Sequence, residues 1–440
     1  MESLFILIFG FTMIIIGRLI LKSWINHLTL YSSIWTLVLW LYSLRLVAYY
    51  PIITEAWIMI FSAWFMLYIG TGCVLLINAI NKNKTIERLQ ITGLKNENED
   101  MLLYIKYLKI AIIILSAVSF VGIIIQWLIL IKHFGSIAGI LVQGGKVYQL
   151  RVRDPSTTKI PYITSLYLVA INFAGIYAAM RRKFTIVIFI PFILAIIQSI
   201  GAMGRAGLLF SAVLFLSSYL IFSKTIAVKN HRKLSFKSII ITLAILAMLA
   251  ITADYIKTLR FSEIWPRKYF GSKSFSKLQK LPFFTPSVYI YLSANPVVFS
   301  EYLKSGGENT YLGWYTFAPI YHLLAKVGLV KITSYYQKFY LTPVPSNTGT
   351  YLRELHADFK EVGVLLYPFL LGILCTYLYI KPIKRLWQVV TLSNLYVIVV
   401  LSYAYNAMFL GGWVLSFIVA LVISLTIQHF VERSLYRPFS

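Results

Sequence analysis

Long uncharged, apolar runs recur along the chain, separated by short segments in which lysine and arginine collect. The runs cover residues 3–17, 28–44, 56–80, 110–131, 160–180, 184–204, 206–223, 238–253 and 362–380. A membrane-crossing helix needs roughly 20 largely uncharged residues, because the hydrocarbon layer offers its backbone no hydrogen-bond partner. Residues 386–431 carry no Asp, Glu, Lys or Arg. At about 1.5 Å per helical residue that length supplies two crossings, with the turn expected at Gly411-Gly412. The pattern predicts an all-α polytopic membrane protein with about eleven transmembrane helices. The first run lacks an Ala-x-Ala cleavage pattern and a basic leader, and it reads as a retained span.

Composition agrees with lipid as the main solvent: 59% of the 440 residues are hydrophobic and 13% charged. The basic connections alternate along the chain, at Arg18 and Lys22, 82–109, Arg181 to Lys183, 224–237, 381–385, and Arg433 and Arg437. As cytoplasmic segments these put the N-terminus outside and the C-terminus inside. Part of the net charge of +26 is then explained by attraction to anionic headgroups.

Three segments follow from this: 1–253 with spans one to eight, 254–361 as one large, partly helical external loop before the ninth span, and 362–440 with the last three spans. The loop carries 13 Lys and Arg against 7 Asp and Glu. Its length marks it as functional or as a small domain. The segment 132–159 adds five bases, Lys132, Lys146, Arg151, Arg153 and Lys159, on the same side. An anionic ligand at the outer leaflet suits both.

Several classes are excluded or weakened. The chain has no P-loop, no Rossmann glycine pattern, no HExxH, no GxSxG and no nucleic-acid module. No internal repeat and no carboxylate chain along the spans points to a carrier. Cys73 and Cys375 lie inside spans, so neither a disulfide framework nor a thiolate metal site is expected. No metal and no cofactor is expected.

Two places carry candidate chemistry. In Gly201-Ala-Met-Gly-Arg205-Ala-Gly207 a single charge sits at an expected outer hairpin among small residues. Such residues permit close approach, and a guanidinium can grip a phosphate with two N–H groups. The alternative is an arginine snorkelling at a tight turn. The second place is Tyr351 to Gly363, where Arg353, Glu354, His356 and Asp358 crowd the end of the loop. As a helix it sets Glu354 and Asp358 four apart and Arg353 and His356 three apart, near the membrane surface. Here the alternative is a charged, solvated first turn above a span. The preceding Pro343 to Thr350 is expected to form a turn. Arg260, with Arg267 and Lys268, follows the eighth span closely enough to line the same mouth. Arg45 reads by default as a snorkelling residue, and His322 as a packed residue on an apolar, amphipathic or re-entrant helix.

At these two places the sequence resembles the oligosaccharide repeat unit polymerases, the Wzy-type or O-antigen polymerase family. Members share many spans, a small-residue Arg-Gly element opening a membrane helix, and a long outer loop ending in a tyrosine-arginine-acid stretch before Asp-Phe-Gly. Arg205-Ala-Gly207 and residues 350–372 match. Lys360 stands where the family has glycine.

The resemblance implies a GT-C-like helical membrane fold in the bacterial cytoplasmic membrane. It implies a glycosyltransferase that moves a growing glycan from undecaprenyl pyrophosphate to a sugar hydroxyl of another lipid-linked repeat, in O-antigen, capsule or exopolysaccharide synthesis. It implies no nucleotide-sugar site, and as partners the lipid-linked oligosaccharide, the bilayer, a chain-length regulator and a flippase. Arg205, Arg353 and Arg260 are the expected pyrophosphate binders, since a departing pyrophosphate gains charge. His356, Asp358 and Glu354 are the candidates for the base. An O-antigen ligase shares the architecture and leaving group and differs in its acceptor. A polysaccharide flippase would carry the lipid-linked sugar without forming a bond, and a membrane acyltransferase would rest on His322 alone.

Overall fold

The computed structural model describes residues 2–85, 97–153, 161–181, 183–230, 236–261, 286–308, 310–331, 337–343, 345–381 and 385–435. The chain is about 81% helical. Among the described residues the only strand pairing is a two-residue antiparallel ladder, β1 (Tyr340–Leu341) against β2 (Pro345–Ser346). The turn was expected over Pro343 to Thr350; β2 lies inside that segment, and residues 347–350 that follow it have no regular structure.

Eight helices among the described residues are long and apolar enough to cross a membrane. Seven of them lie on α1 (Glu2–Leu21), α3 (Thr54–Thr85), α4 (Glu97–Phe134), α9 (Ala206–Asn230), α10 (Phe236–Phe261), α14 (Tyr351–Ile380) and α16 (Gly411–Leu435), and the eighth, Tyr162–Arg181, is a short 3-10 turn continued by α7 (Leu166–Arg181). The remaining predicted runs fall on shorter helices, α2 (His27–Ser43), α8 (Ile186–Gly201) and α15 (Leu386–Leu401). Between the spans lie α5 (Ile137–Val142), α6 (Gly144–Arg153), α11 (Pro286–Ser293), α12 (Asn295–Lys304) and α13 (Ala318–Lys326). Two expectations shift. The last turn is not at Gly411-Gly412, since α15 ends at Leu401 and Gly411 already opens α16. And α10 runs on to Phe261, so Asp254 to Arg260 belong to its last turns. Arg267 and Lys268 lie outside the described residues.

The chain forms two compact units. The first comprises Met1–Ile91, Pro266–Pro382 and Ile398–Gly411. Its spine is α3 against α14: a Cβ at Gly70 would collide with the Phe369 carbonyl, and one at Gly372 with the Leu67 carbonyl. Small residues let two membrane helices touch backbone to backbone, which is how such helices gain packing energy where lipid is as apolar as leucine. α14 breaks at Lys360, whose φ of 55° and ψ of −146° fall in a region that glycine alone enters easily. The nine residues Tyr351 to Phe359 are therefore a separate helical segment ahead of the apolar run 362–380.

The second unit comprises Thr92–Trp265, Ile383–Val397 and Gly412–Ser440. Its hub is α7, apolar all round and buried along nearly its whole length among α4, α8 and α9. One polar tie crosses this core, from Asn172 Nδ2 to Ser393 Oγ at 2.8 Å.

Candidate functional site

In the first unit the charged stretch of α14 is helical as expected, but its side chains turn inward. Arg353 is fully buried. Its Nη2 donates to Glu308 Oε1 at 2.6 Å and to the Lys338 carbonyl at 2.9 Å. Its Nη1 donates to the Asn347 carbonyl at 2.9 Å and to Gln337 Oε1 at 3.4 Å. Glu308 also accepts the Tyr315 hydroxyl at 2.7 Å and the Tyr340 hydroxyl at 3.3 Å. Burial, and then the Glu308 charge, push the Tyr315 hydroxyl well above the usual phenol range, so it remains a donor. Glu354 accepts from Gln337 Nε2 and from the Asn406 backbone N–H.

Asp358 accepts the backbone N–H groups of Tyr315 and Thr316, at 2.9 and 2.7 Å. The result is a clasp: one helical turn ties together the segments around 308–316, 337–347 and 406. Arg353 is thus a buried cation already surrounded by protein acceptors, and Glu354 and Asp358 are acceptors for backbone donors. Where a shared cation–carboxylate site was expected, all three side chains are engaged in a network of contacts within their own unit.

His356 differs from them. Its Nδ1 lies 2.9 Å from the Tyr302 hydroxyl, and its Nε2 lies 3.6 Å from Glu361 Oε1. Burial holds the Tyr302 phenol above its ordinary pKa, so Tyr302 stays protonated and orients the ring. Glu361 is exposed, so this imidazole–carboxylate pair reaches the surface of its unit.

Elsewhere in the unit, Arg45 pairs with Glu2 at 3.4 Å and stacks on Tyr42, both near the surface. His322 is half-buried on α13, and burial, then Lys326, lowers its pKa.

The second unit gathers cations. The chain leaves α8 through Met203, whose φ is 46°, and Arg205 stands immediately before α9. Arg151 of α6 reaches into this turn and donates from Nη1 to the Ala202 carbonyl at 2.5 Å. Its guanidinium passes so close to Gly204 that a Cβ there would sit 2.8 Å from Nη1. Arg260, at the end of α10, stacks with Cζ 3.4 Å from the centre of the Tyr148 ring, and Arg151 lies 5.5 Å from that ring. The charges of both Arg205 and Arg151 act on Arg260.

Local packing sets this convergence. Gly144 and Gly145 bring α6 against the end of α10, where a Cβ would lie 2.7 Å from the Leu259 carbonyl and 2.9 Å from that of Arg260. Beneath, Val147, Met203, Leu130 and Ile140 form one buried cluster that fixes α6 to the turn. Next to the turn, Trp127 Nε1 and Gln126 Nε2 converge on the open face of Gly201. Among the described residues, both atoms are buried and meet no hydrogen-bond partner.

Three guanidinium groups held together cost repulsion and desolvation. They suit a ligand with several anionic oxygens, which accept N–H groups in pairs. Arg205 and Arg260, both singled out from the sequence, are brought together. Arg151 had been noted only as one base of its segment, and Tyr148, Gln126 and Trp127 carried no signal beyond their type. Glu308 and Gln337, the centre of the clasp, were missed because their partners lie tens of residues away. Among the described residues no three His, Cys, Asp or Glu side chains gather as metal ligands would. No protein family, no curated protein and no solved structure matches the chain.

Proposed function

We propose that the protein is a membrane glycosyltransferase that polymerises lipid-linked oligosaccharide repeats, using a polyprenyl-pyrophosphate donor. The reading places it in the bacterial cytoplasmic membrane with about eleven spans, the N-terminus outside and the C-terminus in the cytoplasm. The observation that carries it is the convergence of Arg151, Arg205 and Arg260 in the second unit.

In the reaction, the bond from the sugar's anomeric carbon to a pyrophosphate oxygen breaks and its electron pair stays on that oxygen. The guanidinium groups meet the charge that develops there; a preorganised donor of this kind is worth about 10²–10³ in rate. The acceptor hydroxyl oxygen forms the new glycosidic bond and gives up its proton. Within the first unit the oxygens of Glu354 and Asp358 are committed to the clasp, whereas the His356–Glu361 pair, oriented by Tyr302, reaches the surface of that unit. Arg353 becomes a positioning residue. A chain-length regulator and a flippase of the same pathway are the protein partners this activity calls for.

The test is deletion of the gene in its host, with surface glycan resolved on a gel and complementation by wild type, Arg205→Ala and Arg260→Ala. Loss of the polymer ladder with single-repeat material retained, restored by wild type alone, is the expected result. Accumulation of long lipid-linked chains that never reach their final carrier would instead identify a ligase. Loss of all surface glycan would identify a flippase.

A further inference from the structure

The segment around α13 presents an apolar stripe that nothing in its unit covers. Phe317, Ile320, Leu323 and Val327 follow one another at intervals of three, three and four, so they share one face of the helix. Their exposures are 45%, 55%, 61% and 69%, and Leu329, just beyond, is 72% exposed. The helix is not loosely held. Ala318, Trp314 and Tyr315 are buried, the Tyr321 hydroxyl donates to the Leu312 carbonyl at 2.6 Å, and Tyr321 packs against Trp314 and Tyr311. A firmly seated helix with its apolar face outward is displaying that face.

Two observations say what covers it. First, the stripe starts at a membrane-spanning helix: the rings of Phe317 and Phe359 meet edge to face at 6.4 Å, and Phe359 directly precedes the break that opens the apolar run 362–380. The Thr316 N–H held by Asp358 fixes the same level. Second, residues 310–352 contain no Asp or Glu, while Lys326 and Lys331 are exposed at the far end of the stripe. An apolar face with flanking lysines is what the headgroup region of an anionic leaflet binds.

We infer that α13 lies in the membrane interface and docks the large loop onto an anionic lipid leaflet through Phe317, Ile320, Leu323 and Val327, with Lys326 and Lys331 meeting the headgroups. The surface is independent of the glycosyltransferase reading, since it needs neither the arginine cluster nor His356.

The test uses the full chain in nanodiscs of phosphatidylcholine and phosphatidylglycerol, with Cys73 and Cys375 replaced by alanine and a fluorescent label on a single new cysteine. Leu323→Cys and Ile320→Cys report the stripe. Leu341→Cys, exposed on β1 of the same unit, reports water. At a depth of about 5–10 Å, brominated lipid is expected to quench the two stripe labels by about half while iodide barely reaches them, with the reverse at 341. Lys326→Glu with Lys331→Glu should move the stripe labels toward the iodide pattern in discs containing phosphatidylglycerol. Iodide quenching at 320 and 323 as strong as at 341 would overturn the inference, and so would protection from both quenchers, which would mean that protein covers the stripe.

Discussion

The two places richest in arginine solve opposite problems. Around Arg353 every charge has its counterpart in the fold: a guanidinium among a carboxylate, two carbonyls and an amide, and two carboxylates that receive backbone donors. Around Arg205 the fold brings positive charges toward one another and sets two of them at one tyrosine ring. A buried ion network built around one cation and its acceptors is architecture, whereas several guanidinium groups gathered in one place suit a ligand with several anionic oxygens. Density of ionisable residues along a sequence does not separate the two; where their partners come from does.

The sharpest way to break this comparison is to remove each arginine in turn. Arg353→Ala removes the buried cation from Glu308, which is only partly exposed, and strips four acceptors of their donor, which costs about 3 kcal/mol. The purified variant should therefore show a large drop in thermal midpoint or fail to accumulate in the membrane. Replacing both partners with apolar residues, Arg353→Met with Glu308→Leu, should recover most of that stability. Arg205→Gln and Arg260→Lys, which keep the length or the charge of the side chain, should accumulate in the membrane, yet lose about 10²–10³ of polymerising rate in a reconstituted assay. Were Arg353→Ala to fold normally and lose activity alone, the clasp would be a catalytic site after all.

Smaller effects sharpen the comparison. Gly204→Ala pushes a methyl group against the Arg151 guanidinium, the movable end of a long side chain, so the protein should fold and lose about tenfold in rate through misplaced donors. Lys360→Gly relieves a backbone conformation that a side chain strains, and should raise stability by about 1 kcal/mol in thermal unfolding. A loss of stability there would mean that Lys360 contributes more through contacts than it costs in strain.

Much of the helical framework was legible because lipid imposes a local rule: an apolar run long enough to cross declares itself without knowledge of its neighbours. The misplaced last turn shows the limit of that rule. Gly411 and Gly412 advertise a break, yet the chain leaves α15 at Leu401, ten residues earlier, where the Asn406 N–H is taken by Glu354 from another helix.

At the candidate site the sequence exposed Arg205 through its glycine setting and Arg260 through its place at the end of a span. Arg151 stayed hidden because its approach depends on Gly144 and Gly145 meeting the end of α10, more than one hundred residues along the chain. For the same reason Arg353 read as a ligand-binding cation beside local carboxylates. Glu308 and Gln337 become its partners only after the loop folds back.

The most direct test is binding of a short-chain polyprenyl pyrophosphate to the purified full chain in nanodiscs, followed by calorimetry for wild type and Arg205→Gln. Removing one of three charge-assisted donors should weaken binding by at least about tenfold, with wild-type affinity falling as salt is raised. Undiminished affinity in a folded Arg205→Gln protein would contradict the assignment of the pyrophosphate to this cluster.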